Sequence, residues 1–230
     1  MHTDPSLQGR LARVRSAVAD AVREAGRDEA EVTTIVVTKF HPASLVRELA
    51  ALGVADVGEN RQQEASEKSA ELADLALNWH FIGQLQSKKT KSVLAFATAI
   101  HSLDRLSLVT ALGNSFADSD DSIDAFIQLN LTDDPARGGV RPDDLETFAE
   151  KVLATRGIRL RGVMAVAPLD SRPREAFERV RALGDRLRTL APDATGLSMG
   201  MSGDFREAVL EGATHLRIGT AITGNRPNPG

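Results

Sequence analysis

Residues 33–60 read TTIVVTKFHPASLVRELAALGVADVGEN. Positions 33–38 form a β-branched apolar run, the composition of a buried strand. A helical pattern follows at 43–52, and a second short apolar run at 54–58. The second run is weak as a strand by itself. It gains its meaning from its place, because strand, helix and strand in close succession make one βαβ unit.

The same alternation continues outward. Apolar runs recur at 33–38, 54–58, 79–83, 97–103, 125–131, 160–167, 197–201 and 215–222. Helical patterns at 43–52, 61–77, 87–96, 105–116, 143–155, 174–190 and 204–211 lie between or beside them. Strand starts are on average 26 residues apart, the size of one strand-plus-helix unit. Strict alternation means a parallel sheet. Eight units predict an α/β fold, a single (β/α)8 TIM barrel. An additional N-terminal helix precedes it, started by Asp4-Pro5-Ser6, carried by Leu7, Leu11, Val14, Val18 and Val22, and ended by Gly26. It is expected to plug or cap the barrel. The rival fold, an open doubly wound sheet binding a dinucleotide, needs a GxGxxG turn after the first strand, and none is present. No linker or close internal repeat appears, so residues 1–230 are expected to be one domain.

Composition narrows the chemistry. The chain has 230 residues, with no cysteine and no tyrosine. Thiol nucleophiles, disulfides and thiolate metal sites are excluded, as is a phenol of this chain acting as acid or base. A net charge of −4 gives no electrostatic footprint for nucleic acid or an anionic membrane. No apolar run approaches the ~18 residues of a membrane span, and the first residues lack a signal-peptide pattern. A cytoplasmic location is expected. A monomer is expected too, since a closed barrel leaves no sheet edge to pair.

Barrel proteins carry function at the C-terminal ends of their strands. Lys39 ends the first strand and can serve there as a Schiff-base amine; the alternative is a solvated lysine that merely ends a strand. Asn60 follows the second strand. Ser202-Gly203-Asp204 opens a helix after the seventh strand, so free N–H groups and a hydroxyl meet at an anion site. Gly219-Thr220 on the eighth run permits close backbone approach and adds a hydroxyl. These two loops form the recurring phosphate site of barrels. Arg217, in an apolar strand, is expected to face a ligand or a carboxylate. His2, His41, His80, His101 and His215 show no HxH or HExxH spacing, so no metal site is expected. Asp204, Glu207 and Glu211 are expected to form an exposed helix face.

The residues at these strand ends resemble the pyridoxal-phosphate homeostasis protein family. The resemblance runs from Val32 to Arg226. It rests on Val36-Val37-Thr38-Lys39, Gly58-Glu59-Asn60, Trp79-His80-Phe81-Ile82-Gly83 with Leu85-Gln86, and His101-Ser102-Leu103-Asp104-Arg105. Leu197-Ser198-Met199-Gly200-Met201-Ser202 and Arg217-Ile218-Gly219-Thr220-Ala221-Ile222 complete it. It implies a barrel similar to the N-terminal domain of alanine racemase. Further, it implies pyridoxal 5′-phosphate (PLP) as cofactor, held as a Schiff base on Lys39. It puts Arg217 near the pyridine nitrogen and Ser202, Gly219 and Thr220 on the phosphate, with Asn60 as a further contact. A non-catalytic role in PLP homeostasis and delivery follows, with apo PLP-dependent enzymes as recipients. The alternative is a racemase-like PLP enzyme, which needs an acid/base on each face of the cofactor; His80 and His101 are the candidates for a second one. Gln84, Lys88 and Arg137 depart from the family pattern, and Arg137 is expected to weaken any secondary aldehyde site in its loop.

Overall fold

A computed structural model describes residues 5–134 and 137–225. The Asp4 helix start, His2, both ends of the expected domain and Arg226 lie outside the described residues. The strands are β1 (Thr33–Val37), β2 (Asp56–Glu59), β3 (Asn78–Phe81), β4 (Ala99–Leu103), β5 (Ile123–Gln128), β6 (Ile158–Met164), β7 (Gly196–Ser198) and β8 (His215–Ile218). They pair in sequence order and in parallel, and β8 closes onto β1, with Ile35 opposite Arg217. The result is a closed (β/α)8 barrel.

The helices are α1 (Leu7–Glu24), α2 (Ala43–Ala51), α3 (Gln62–Glu71), α4 (Thr90–Leu94), α5 (Leu106–Ser115), α6 (Leu145–Leu153), α7 (Pro173–Leu190), α8 (Phe205–Leu210) and α9 (Thr220–Thr223). Each longer helix turns an apolar stripe inward; α7, for example, buries Phe177, Val180, Leu183 and Leu187. Parallel strands covered on both faces are apolar almost throughout, which is why β4 is buried at every position.

Helix α1 departs from its expected place. Ser6 caps it by accepting a hydrogen bond from the Gly9 N–H at 3.0 Å. Its buried face (Leu11, Val14, Val18, Val22) packs against α8 and α9, in the outer helical layer. Arg10 reaches the Ile222 carbonyl at 2.6 Å and Arg27 the Ala213 carbonyl at 2.8 Å. No α1 residue lines the C-terminal cavity, and Leu11, Val14 and Arg15 face a cleft beside the first residues of β1 and β2. The helix therefore fastens the last βα units to the first and does not plug the barrel.

The eighth run also ends sooner than its apolar sequence suggests. Strand β8 stops at Ile218. Gly219 leaves the strand conformation, and its carbonyl accepts the N–H groups of Ile222 and Thr223 at 2.8 and 2.9 Å, starting α9. Thr220 is thus the first residue of a helical turn and not part of a strand. Glu211 is another correction. It is buried, not exposed, and pairs with Arg174 and Arg181 of α7, each at 2.9 Å.

Candidate functional site

A cavity of about 440 Å³ opens at the C-terminal mouth of the barrel. Lys39, Asn60, Ser202, Arg217, Gly219 and Thr220 all line it, together with apolar Val37, Ile82, Val166 and Met201. Six residues from four strand ends meet here because parallel strands all deliver their C-termini to one side. Among the described residues, none that lines it is acidic.

Lys39 stands at the corner of a tight turn. The His41 N–H donates to the Thr38 carbonyl at 3.1 Å, and Phe40, third in the turn, has a φ of 69°. That left-handed conformation favours glycine and costs a bulky residue about 1–2 kcal/mol. The Lys39 ammonium lies 5.8 Å from the centre of the Phe40 ring and makes no hydrogen bond or ion pair among the described residues. An uncommitted amine at a cavity wall is available to an electrophile.

The loops after β7 and β8 offer donors, and β8 is the neighbour of β1. Ser202 Oγ accepts the Ala221 N–H at 3.3 Å, tying the loop after β7 to α9. The N–H groups of Ser202, Gly203 and Thr220 make no hydrogen bond among the described residues. A side chain added at Gly203 would meet nothing within 4 Å, so this backbone borders open space. Three free N–H groups and two hydroxyls around such a space suit a phosphate. The residues present therefore fit a phosphorylated aldehyde, with an amine and an anion cradle lining one cavity.

Arg217 is buried and held from below. Its guanidinium donates to Ser198 Oγ at 2.7 Å and to the Ala165 carbonyl at 2.8 Å. No carboxylate touches it among the described residues, contrary to one of the two sequence expectations. Burial lowers its pKa to about 10, with Asp204 opposing the shift, so it stays cationic at neutral pH. Below it a polar column descends the barrel axis. Ser198 Oγ lies 2.8 Å from His101 Nδ1, His101 Nε2 lies 3.0 Å from His80 Nδ1, and His80 Nε2 lies 3.0 Å from Asp56 Oδ1. Burial holds His101 neutral, well below the usual imidazole range. The His80 hydrogen bond holds Asp56 below the usual carboxylate range.

The column ends at a second cavity of about 420 Å³, at the N-terminal mouth, lined by Asp56, His80, Asp124, Arg161, Asp193 and His215 among others. His80 belongs to that lower cavity, and His101 is fully buried. Neither lines the upper cavity with Lys39. Among the described residues, no group of three or more His, Asp or Glu side chains is disposed to hold a metal ion. No helix of the described residues is long and apolar enough to cross a membrane.

Sequence reasoning missed the supports of the site. Ser198 stood in a quoted motif, but its role under Arg217 depends on strand register. Gly83 is another. A Cβ there would sit 2.1 Å from the Asn60 carbonyl oxygen, so only glycine lets β3 pass the loop that carries Asn60. Gly83→Ala is expected to destabilise the fold by about 1–3 kcal/mol and to displace Asn60, which urea unfolding and ligand titration would read together. No change in either would refute the close approach.

Comparison with known proteins agrees with the barrel. The family model for the alanine racemase N-terminal domain matches residues 11–227. A pyridoxal phosphate homeostasis protein of Pseudomonas aeruginosa is 42% identical over 94% of this chain and 94% of its own. Its Escherichia coli counterpart is 35% identical over 94% and 95%. PipY of Synechococcus elongatus, solved with PLP bound, is 35% identical, with a TM-score of 0.84 over 95% of this chain and all of its own. Alanine racemase of Corynebacterium glutamicum, at 16% identity and a TM-score of 0.67 over 94% of this chain and 62% of its own, shares the fold alone. By the family model and by identity along nearly the whole length of these relatives, the chain belongs to the pyridoxal phosphate homeostasis protein family.

Proposed function

We propose that the protein binds PLP in the C-terminal cavity and holds it as a Schiff base on Lys39. It would act in the homeostasis and delivery of the cofactor, without catalytic turnover. The observation that carries this reading is the juxtaposition in one cavity of an uncommitted amine and an anion cradle. The names of the relatives and the PLP bound to PipY point the same way. The Lys39 amine would condense with the cofactor aldehyde and release one water. Ser202, Gly219 and Thr220 would hold the phosphate, with Asn60 beside them. Bound PLP supplies an aldehyde for imine chemistry and a ring that withdraws electrons.

Two features favour holding over turnover. Arg217 is cationic, and a cation facing the pyridine nitrogen disfavours its protonation and so weakens the electron sink. The upper cavity also lacks a second acid/base: its lining contains no histidine, carboxylate or phenol among the described residues. Racemase-like chemistry needs one on each face. Apo PLP-dependent enzymes are the proposed recipients. A cytoplasmic monomer is part of the same reading, supported by a sheet that closes without an edge.

The test is the absorbance spectrum of the protein with PLP, followed by borohydride reduction and peptide mapping. An imine band and a label on the Lys39 peptide are expected. A label elsewhere would overturn the Schiff-base assignment. Steady exchange of the alanine α-proton in deuterated water would overturn the non-catalytic reading.

A further inference from the structure

Beside the Lys39 turn lies a buried ionic cluster that the proposed function does not use. Lys68 of α3 is 7% exposed in its side chain. Its ammonium donates to the Thr38 carbonyl at 2.9 Å, to Glu59 Oε1 at 2.7 Å and to Glu64 Oε1 at 2.7 Å. Three donors thus meet three acceptors, which is what a buried ammonium requires. The Thr38 hydroxyl also donates to Glu59 Oε1, at 2.7 Å. The Phe40 N–H donates to Glu64 Oε1 at 2.5 Å.

These contacts fall on both sides of Lys39. Lys68 grips the residue before it and Glu64 the residue after it. Between them they hold a turn whose third residue, Phe40, is in a conformation that phenylalanine resists. Glu59, the third member, ends β2 next to Asn60, so the cluster also joins the two strand ends that carry Lys39 and Asn60. Burying the Lys68 and Glu59 charges beside a half-buried Glu64 is expensive where apolar packing would serve. A retained cluster around one strained turn calls for a local purpose.

We propose that Lys68 and Glu64 are positioning residues for Lys39: they hold the strained Thr38–His41 turn and so fix where the amine stands. The inference rests on the reading of Lys39 as the PLP-bearing amine, but the turn itself can be measured without cofactor.

The test compares wild type, Lys68→Met, Glu64→Ala and the double variant Lys68→Met/Phe40→Asn. Asparagine tolerates the left-handed conformation, so it relieves the strain that the clamp opposes. Two ligands are used: PLP, which can form an imine, and pyridoxine 5′-phosphate, which has the same ring and phosphate but an alcohol in place of the aldehyde. Lys68→Met is expected to weaken imine formation about tenfold and to leave pyridoxine 5′-phosphate binding unchanged. Phe40→Asn is expected to restore most of the loss. Without ligand, the Phe40 amide should exchange with solvent faster in Lys68→Met and in Glu64→Ala, so a single folded variant suffices. Wild-type imine formation in Lys68→Met, unchanged Phe40 exchange, or equal loss of both ligands without rescue would each overturn the positioning role. Failure of wild type to label at Lys39 would instead sink the Schiff-base reading, while amide exchange still judges the clamp.

Discussion

Lys39→Ala should abolish the imine absorbance with PLP and leave borohydride no peptide to label. Among the described residues, Lys39 is the one amine lining the upper cavity. The other lysines of the early loops, Lys88, Lys89 and Lys91, sit on the turn before α4 and on α4 itself, outside that lining. Binding should weaken but not vanish. The phosphate cradle does not involve Lys39, and hydrogen bonds to a charged group contribute about 1.5–3 kcal/mol each. Stability should change by less than about 0.5 kcal/mol, because the Lys39 side chain has no hydrogen bond or ion pair to lose. A spectrum, a labelled digest and a urea titration check the three parts. An imine that persists in the variant removes Lys39 from the site.

Acid should unfold the protein through His101, which is buried, and His215, which is partly buried. His215 opens β8, bonds Thr214 Oγ1 at 2.8 Å and packs edge-on to Phe126 at 5.0 Å. Burial first, then the neighbouring His80, lowers its pKa from 6.5 to about 4. The folded protein therefore holds this ring neutral over a range in which the unfolded chain protonates it. The unfolded state binds more protons between pH 6.5 and 4, so stability falls as pH falls through that window and is level above it. The loss is about 3 kcal/mol for His215 alone. His101, lowered further and by the same cause, adds to it in the same direction. Urea midpoints measured from pH 7.5 to pH 4 would show the slope. His215→Gln should flatten it by about 3 kcal/mol; an unaltered slope would remove His215 as a source.

Much of this architecture was legible in the chain, and the reasons are physical. Strand β1 is rich in β-branched residues and reads clearly; the eighth run did so partly through Thr220 and Ile222, which belong to α9. Strands β2 and β7 are short, and only the alternation revealed them. Ala221-Ile222 looked like strand because a short apolar run has no period by which to tell a helical turn from a pleat. The helix expected at 61–77 ends at Glu71, since Leu72 turns into the core and the chain bends to reach β3. The pattern 87–96 divides into a tight turn at Ser87–Lys89 and the short α4.

The lining residues of the upper cavity were legible for a different reason. A parallel barrel delivers every strand's last residue to one mouth, so a strand list is also a list of cavity residues. What lies one layer behind was not legible. Lys68 sits in QQEASEKSAE, a sequence that reads as a solvated helix face. Its burial depends on the Thr38 turn, which belongs to another unit. Glu211 misled in the same way, because its arginine partners come from α7. The axial column needs four strands in register, and no local pattern encodes that.

The column also links Arg217 to a carboxylate at the other mouth of the barrel. In the tautomers that satisfy every member, Arg217 donates to Ser198, Ser198 to His101, His101 to His80, and His80 to Asp56. The lone pairs face the cation and the hydrogens face the anion, so each end is solvated by the chain between them. Arg217 and Asp56 are in effect one ion pair stretched along the barrel, its two poles at opposite mouths. A carboxylate in direct contact would have cancelled the arginine's field. Held at arm's length it does not, and Asp204 acts on the guanidinium only through space, so a protein of net charge −4 still presents a cation to whatever anion enters its upper mouth.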